Sequence, residues 1–495
     1  MALEHPVGPL RQEPVVRVRG LRMSYGPKEV LTGVDLDVHP GEVVCLLGPN
    51  GAGKTTTIEV LEGFRLPSAG EVRVLGTDPA RAADAWRARV GVVLQSWRDH
   101  ARWTPRRLLT QLGGYYRPYS TPERPRPHDV DRLLETVGLT DDADRKIATL
   151  SGGRRRRLDV AVGIVGRPDL LFLDEPTAGF DPRQPGGHLH RDGRPAGVRR
   201  PARAGGGGPV SGPGASYAVR LGLQRGWTEF TQSQRSPQDQ AFYLVVGLGT
   251  LTYLWFNRDD PVEGTSLLYP TVALPGILAA LVAFNVVIGP AFALAMERED
   301  GTLLRHKALP HGMQGYVTGQ LVYHSLGTVP LLLIVLVPSA LLFDDVVPAG
   351  GGGWLTVVWV LVLGLLATLP LGMILGAVIP DTQKVGTWGM LPVVVVTAIS
   401  GIFFPVQALW GWVQAVAQVF PTYWIGLGMR SAFLPDAAAS LELGGSWRSG
   451  QVALVLAAWA VADLLVAPVV LRRMARRQSG SQVAAARDAA LQWVR

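Results

Sequence analysis

Cysteine is nearly missing. Cys45 stands alone in 495 residues, so no intrachain disulfide can form, and inside the apolar run VVCLLG it is expected to be a buried structural thiol. Lysine is scarce as well, at Lys28, Lys54, Lys146, Lys307 and Lys384. Nearly all positive charge is therefore arginine, as GC-rich coding produces. Charged residues make up 18% of the chain against 47% apolar ones, an unusual balance for a soluble protein. Met1 to Pro14 has neither a basic start nor an apolar core, so no cleavable signal peptide is expected there, and the soluble half that follows is expected in the cytosol. The formal charge of +8 does not call for nucleic acid, because the arginines gather beside apolar spans.

The apolar excess is local. Residues 1 to 238 read as ordinary soluble protein, whereas from Ala241 to Leu471 long apolar runs are broken only by short polar or Pro/Gly-containing pieces. One half of the chain is dissolved and the other lies in a membrane.

In the soluble half EVVCLLG, residues 42 to 48, reads as a short buried strand running into GPNGAGKTT, residues 48 to 56, and then into the helical pattern TIEVLEGF. Gly48, Gly51 and Gly53 allow a tight backbone around phosphates, with amides converging on the anion at a helix N-terminus. Lys54 would reach the outer phosphates as a compact point charge, and the Thr55 hydroxyl would bind Mg2+. Pro49, Asn50, Ala52 and Thr56 complete this loop. DLLFLDEP, residues 169 to 176, is a second buried-strand run ending in two carboxylates. Asp174 suits Mg2+ through water, and Glu175 suits a general base for the attacking water. LSGGRRRRLDVAVGIV starts with Ser151 as a helix N-cap, and Gly152 and Gly153 let a phosphate approach the first-turn amides. Four arginines in that turn oppose the helix dipole at about 0.3 to 1 kcal/mol each if exposed, which makes more sense with an anion nearby.

Tyr25 in SYG, the phosphate loop, Gln95 in GVVLQ, the Leu150-Ser-Gly-Gly-Arg run, Asp174-Glu175 and Gly179-Phe-Asp181 follow one another in an order that resembles the ATP-binding domains of ABC transporters. The resemblance covers about residues 14 to 182 and is strongest to actinobacterial drug exporters of the daunorubicin/doxorubicin-resistance kind. It implies that Tyr25 stacks on adenine, that Gln95 senses Mg2+ and the water, and that Asp181 belongs to the ATP site. It further implies that Ser151 and its glycines close over ATP held by a second copy of the domain. Arg154 stands where the family usually has Gln, and Phe180 where it usually has Leu.

After Asp181 the pattern breaks. The family would continue with a helix, an apolar strand ending in Thr/Ser-His, and more. Here residues 183 to 215 hold 15 Gly or Pro among 33 and no periodicity, which is a linker composition. His188 and His190 follow no apolar strand and so are not placed as the switch histidine. A frameshift or deletion in the gene or its reading, removing the last third of the ATPase, is the expected origin of the segment.

In the membrane half, residues 217 to 236 carry Tyr217, Leu221, Trp227 and Phe230 among polar neighbours, which suits a helix at the membrane surface. Six spans are expected near 241 to 256, 267 to 296, 319 to 343, 353 to 380, 387 to 410 and 451 to 471. RHK at 305 to 307, Lys384 and RRMARR at 472 to 477 fall on one side, and RDDPVE at 258 to 263 and FDD at 343 to 345 on the other, so both termini are expected in the cytosol. EREDGTLLRHKALP, residues 297 to 310, resembles the Glu-Arg-Glu-x-Gly-Thr-Leu segment of type-2 ABC exporter permeases. Residues 401 to 424 resemble their external reentry, with Trp410 where Pro is common. This resemblance, over about residues 217 to 478, implies that Glu297 to Leu303 carries ATPase closure to the spans.

The expected fold is a truncated α/β P-loop NTPase domain of ABC type followed by an all-α six-helix transmembrane domain. The divisions are a tail over 1–13, the ATP-binding domain over 14–182, a linker over 183–215, an interfacial helix over 216–238, a permease over 239–478 and a tail over 479–495. The expected function is an ATP- and Mg2+-dependent half-transporter in the cytoplasmic membrane. It would work with lipid, as a homodimer or with a separate ABC ATPase subunit, and export a hydrophobic or amphiphilic small molecule. A nucleotide-binding, non-hydrolysing membrane protein from a damaged gene is the alternative, and a soluble P-loop kinase or GTPase a remote third.

Overall fold

The computed structural model describes residues 13–49, 51–94, 100–174, 214–262, 266–348, 350–379, 381–402 and 406–477. These form two compact units. The first runs to Ala218 and also includes Asp300–Met313; the second comprises Val219–Glu299 and Gln314–Ala475.

In the first unit β1 (Val16–Tyr25) alternates buried Val16 and Val18 with exposed neighbours, as a half-buried strand must. It pairs antiparallel with β2 (Lys28–Val38) through a two-residue turn at Gly26, and on its other edge with β3 (Ala69–Val74), giving the order β2-β1-β3. Helix α1 (Lys54–Leu61) packs Val60 and Leu61 into the same core, together with Trp86 of α2 (Asp84–Arg87). A separate parallel pair joins β4 (Val90–Val93) to β5 (Leu170–Leu173), with Val90 opposite Leu170. Around it lie α3 (Pro105–Gly114), α4 (Val130–Thr136) and α5 (Gly152–Ile164). Gly163 of α5 and Gly91 of β4 meet so closely that a Cβ on Gly91 would sit 2.3 Å from the Gly163 carbonyl oxygen.

One expectation fails here. Residues 42–48 form no strand, and Val43 and Leu47 are 92% and 91% exposed. Cys45 is likewise exposed rather than buried. A buried parallel strand needs a ladder and covered faces. Among the described residues β4 and β5 pair only with each other, and the run at 42–48 joins neither of them. Leu173 at the end of β5 is also exposed, at 41%.

The second unit is helical: α6 (Gly214–Gln234), α7 (Pro237–Phe256), α8 (Tyr269–Glu299), α10 (Gly312–Leu342), α11 (Gly350–Val378), α12 (Thr382–Lys384), α13 (Met390–Ile399), α14 (Gly411–Ala417), α15 (Pro421–Phe433) and α16 (Ser449–Arg477). Helix α9 (Thr302–Ala308) lies between α8 and α10 in sequence but within the first unit. Among the described residues four helices, α8, α10, α11 and α16, are long and apolar enough to cross a membrane. The expected first span is helical as α7. The expected fifth is shorter than 387 to 410, since α13 ends at Ile399 and Gly401 takes a left-handed φ of 71°. Buried α15 packs with α8 and α11 around Leu278, Val360 and Ile425. Trp410 holds φ −59°, a value proline would also supply, and so starts α14 without one.

Helix α6 meets α10 through small residues. A Cβ on Gly222 would lie 2.5 Å from the Gly315 carbonyl oxygen, and one on Gly226 2.6 Å from that of Gly319. Both helices thus carry glycines four apart, which lets their backbones touch.

Candidate functional site

The phosphate loop folds as its glycines require. Gly51 and Gly53 sit at φ 85° and 84°, where a side chain is strained, and a Cβ on Gly53 would strike Leu31 at 2.5 Å. Gly53 is the N-cap of α1, whose first backbone bond runs from Thr57 N–H to the Gly53 carbonyl. The preceding first-turn amides therefore lack an acceptor within the helix. The Lys54 ammonium folds back into the loop, donating to the carbonyls of Gly48 at 2.7 Å and Pro49 at 3.0 Å. Tyr25, at the end of β1, is 40% exposed, with Arg65 over its ring at 4.8 Å and Thr56 Oγ1 3.5 Å from its hydroxyl. It is not a core aromatic.

Asp174 is buried where β5 ends, with its amide donating to the Val93 carbonyl at 3.0 Å. Ser151 is the N-cap of α5 by backbone geometry, but its hydroxyl makes no capping bond. Arg154, Arg156 and Arg157 of the arginine run have partners within the protein. Arg154 pairs with Asp142 at 3.1 Å, and Arg157 donates to the Gly138 carbonyl at 3.4 Å. Arg156, which sequence reasoning did not single out, is buried and donates to the carbonyls of Leu94 at 2.9 Å and Asp174 at 3.2 Å. One guanidinium therefore ties the residue before Gln95 to the acid of the β5 end. Asn50, Gln95, Glu175, Asp181, His188 and His190 lie outside the described residues.

Behind α1, Glu62 is buried, and desolvation pushes its carboxyl well above the usual range, with Asp174 and Glu59 as nearby like charges. Helix α9 is seated on this side. Lys307 donates to the Phe64 carbonyl at 2.9 Å and lies over the Phe64 ring at 5.0 Å. Burial pulls its ammonium down to about 7. Arg305 pairs with Asp159 of α5 at 3.5 Å, Leu304 packs on Phe64 and Leu94, and the His311 amide donates to Asp84 at 2.9 Å. These contacts come from Leu304 to His311, directly after the stretch Glu297–Leu303.

The Glu-Arg-Glu run fastens helices to one another within the second unit. Glu297 accepts from Arg225 of α6 at 3.0 Å and from Gln320 of α10 at 3.1 Å. Arg298 donates to the last carbonyls of α11, at Gly376, Ala377 and Ile379, and Glu299 accepts from the Thr382 amide at 2.7 Å. Asp300 then caps α9 through the Thr302 amide at 3.0 Å, while Gly301 turns the chain at φ 84°.

Comparison with known families assigns both halves. The ABC transporter model matches residues 31–178, and the ABC-2 type transporter model matches residues 218–434. The chain is an ABC transporter domain fused to an ABC-2 type transporter domain. Its apolar helices and the ABC-2 match make it a multi-pass membrane protein. The Nod factor export ATP-binding protein I of Paraburkholderia xenovorans is 42% identical over 34% of this chain and 55% of its own length. The daunorubicin resistance ATP-binding protein DrrA3 of Streptomyces coeruleorubidus is 41% identical over 34% of this chain and 52% of its own. The daunorubicin/doxorubicin resistance ATP-binding protein DrrA of Streptomyces peucetius is 42% identical over 34% and 50%. The chain thus spans about half the length of these curated relatives, and the matched part is the ABC domain alone.

Proposed function

We propose that the chain is an ATP-driven half-transporter that moves an amphiphilic drug, antibiotic or lipid-like molecule across the cytoplasmic membrane, with both termini in the cytosol and six spans. The reading rests on one observation: a phosphate cradle built on left-handed Gly51 and Gly53, with Lys54 folded inside it, on the same chain as an ABC-2 type domain. The names of the relatives, which include export and drug resistance, support the substrate class.

The residues present fit a magnesium-bound triphosphate. Lys54 would exchange its two loop carbonyls for outer phosphate oxygens, and the first-turn amides of α1 would hold the others. Thr55 and Asp174 offer the hard oxygen donors that Mg2+ takes, and the ion when bound neutralises developing phosphate charge. Tyr25 presents a half-open ring to the base. Arg156 donates to the carbonyls of Leu94 and Asp174; Gln95 would orient the water and Glu175 would take its proton. Ser151, Gly152, Gly153 and Asp181 complete the site of a second copy, or of a separate ABC ATPase subunit, in a dimer. Helix α9, gripped through Arg305 and Lys307, carries the closure onward.

A second reading is favoured by the bare apolar run at 42–48: nucleotide is bound but not hydrolysed, because the sheet under the loop is incomplete. Phosphate release by the purified full chain in lipid nanodiscs separates the two. Under the first reading the native chain releases phosphate at about 100-fold the rate of the Glu175→Gln chain, the scale of one general base. Equal rates, with nucleotide still bound, support the second.

A further inference from the structure

Helices α8 and α10 run antiparallel along a seam that is polar where lipid-spanning helices are ordinarily apolar. Its register is set by three contacts between the helices, and a fourth bond lies within α10. Glu297 meets Gln320 at 3.1 Å, Gly289 lies against the His324 ring, Asn285 donates to Thr328 Oγ1 at 3.0 Å, and Thr328 donates to the His324 carbonyl at 2.8 Å. Gln320, His324 and Thr328 are four residues apart, so they line one face of α10. Asn285, Gly289 and Glu297 line the facing side of α8. The track reaches about 18 Å from Glu297 to Asn285, by the helical rise, and ends midway along α8.

All three α10 side chains are more than nine-tenths buried, at 4%, 7% and 2% exposure. Two of their polar atoms nevertheless have no partner, Gln320 Oε1 and His324 Nε2. Burying such atoms unsatisfied costs about 1 to 3 kcal/mol each, so a seam that served packing alone would carry apolar residues here. Gly289 leaves room only for the imidazole, because a Cβ there would sit 3.0 Å from the ring. The seam is thus closed around two unmet hydrogen-bonding positions, which a ligand would reach if α8 and α10 parted.

We propose that this seam is a substrate-binding track for the hydroxyl-bearing portion of an amphiphile. A hydroxyl both donates and accepts, as an oxygen acceptor on Gln320 and an imidazole nitrogen on His324 together require. The apolar remainder of the ligand would lie along the neighbouring apolar helix surfaces. The inference rests on the exporter reading above and adds the site to it.

The test uses the full chain in lipid nanodiscs with daunorubicin, a fluorescent hydroxylated amphiphile, as the probe, read by fluorescence anisotropy. Native chain binds saturably. His324→Phe with Gln320→Met conserves volume and removes the hydrogen-bonding atoms, and binding weakens about tenfold or more. His324→Gln restores a donor and an acceptor and binds within about threefold of native. Val329→Ala, on an exposed part of α10, changes nothing. If the double variant fails to elute as a monodisperse particle, His324→Phe alone carries the same test. Native binding that survives unchanged in the phenylalanine chain overturns the track and leaves the exporter reading standing. Absence of saturable binding to the native chain overturns both the track and the substrate class.

Discussion

Arg156 shows how one side chain organises a site it was not expected to serve. Its guanidinium bridges the carbonyls of Leu94 and Asp174 in a buried position. Arg156→Met leaves both carbonyls without that donor and should lower stability by about 3 kcal/mol, measured by thermal unfolding of the purified chain. Nothing in the run RRRR distinguishes the third arginine from its neighbours; only the strand ends it meets do. Lys307 carries a pH dependence. Seated on Phe64 its ammonium titrates near 7, burial outweighing Glu59 and Glu62 while Arg87 and Arg65 add to the lowering. Released, it keeps its proton up to the ordinary lysine value of 10.5. Between those values the released state binds more protons, so seating of α9 tightens as pH rises, and below about 7 this dependence disappears. From about pH 6.5 to about pH 8.5 the gain approaches 2 kcal/mol, at about 1.4 kcal/mol per unit. Amide exchange of residues 302–311, corrected for intrinsic rate, should slow accordingly in the native chain. In Lys307→Met the part of the slowing due to this ammonium disappears.

Elements differ in how far their sequences announce them. The phosphate loop was legible because its geometry admits few residues: left-handed Gly51 and Gly53 are needed whatever the surroundings. The strand expected at 42–48 was not, because a strand is a relation between two segments, and its apolar run says nothing about whether a neighbour exists. The contact of α6 with α10 could have been read from two pairs of glycines spaced by four, Gly222 with Gly226 and Gly315 with Gly319. Gly226→Leu forces a side chain into the Gly319 backbone and should cost about 3 kcal/mol, seen as a lower unfolding temperature of the nanodisc-embedded chain. The Glu-Arg-Glu run was recognised by its resemblance, yet its work is local. Glu297 holds α6 and α10, Arg298 the end of α11 and Glu299 the start of α12, while Leu304 and the residues after it contact the ABC domain.

At the scale of the whole chain, two architectures follow from two compositions. Alternating strands and a glycine-cradled lysine build the ABC domain, and long apolar helices with small-residue crossings build the ABC-2 domain. The chain matches only about half of its curated ATP-binding relatives, and the exposed residues Val43, Leu47 and Leu173 mark where sheet neighbours are wanting among the described residues. The central claim is that the cradle nonetheless grips nucleotide. Equilibrium binding of a fluorescent ATP analogue to the full chain in nanodiscs, with and without Mg2+, tests it most directly. The account predicts saturable, Mg2+-strengthened binding that Lys54→Ala weakens about 100-fold, the loss expected when a charged partner of phosphate is removed. Binding that is absent from the native chain, or equal in the two chains, would contradict it.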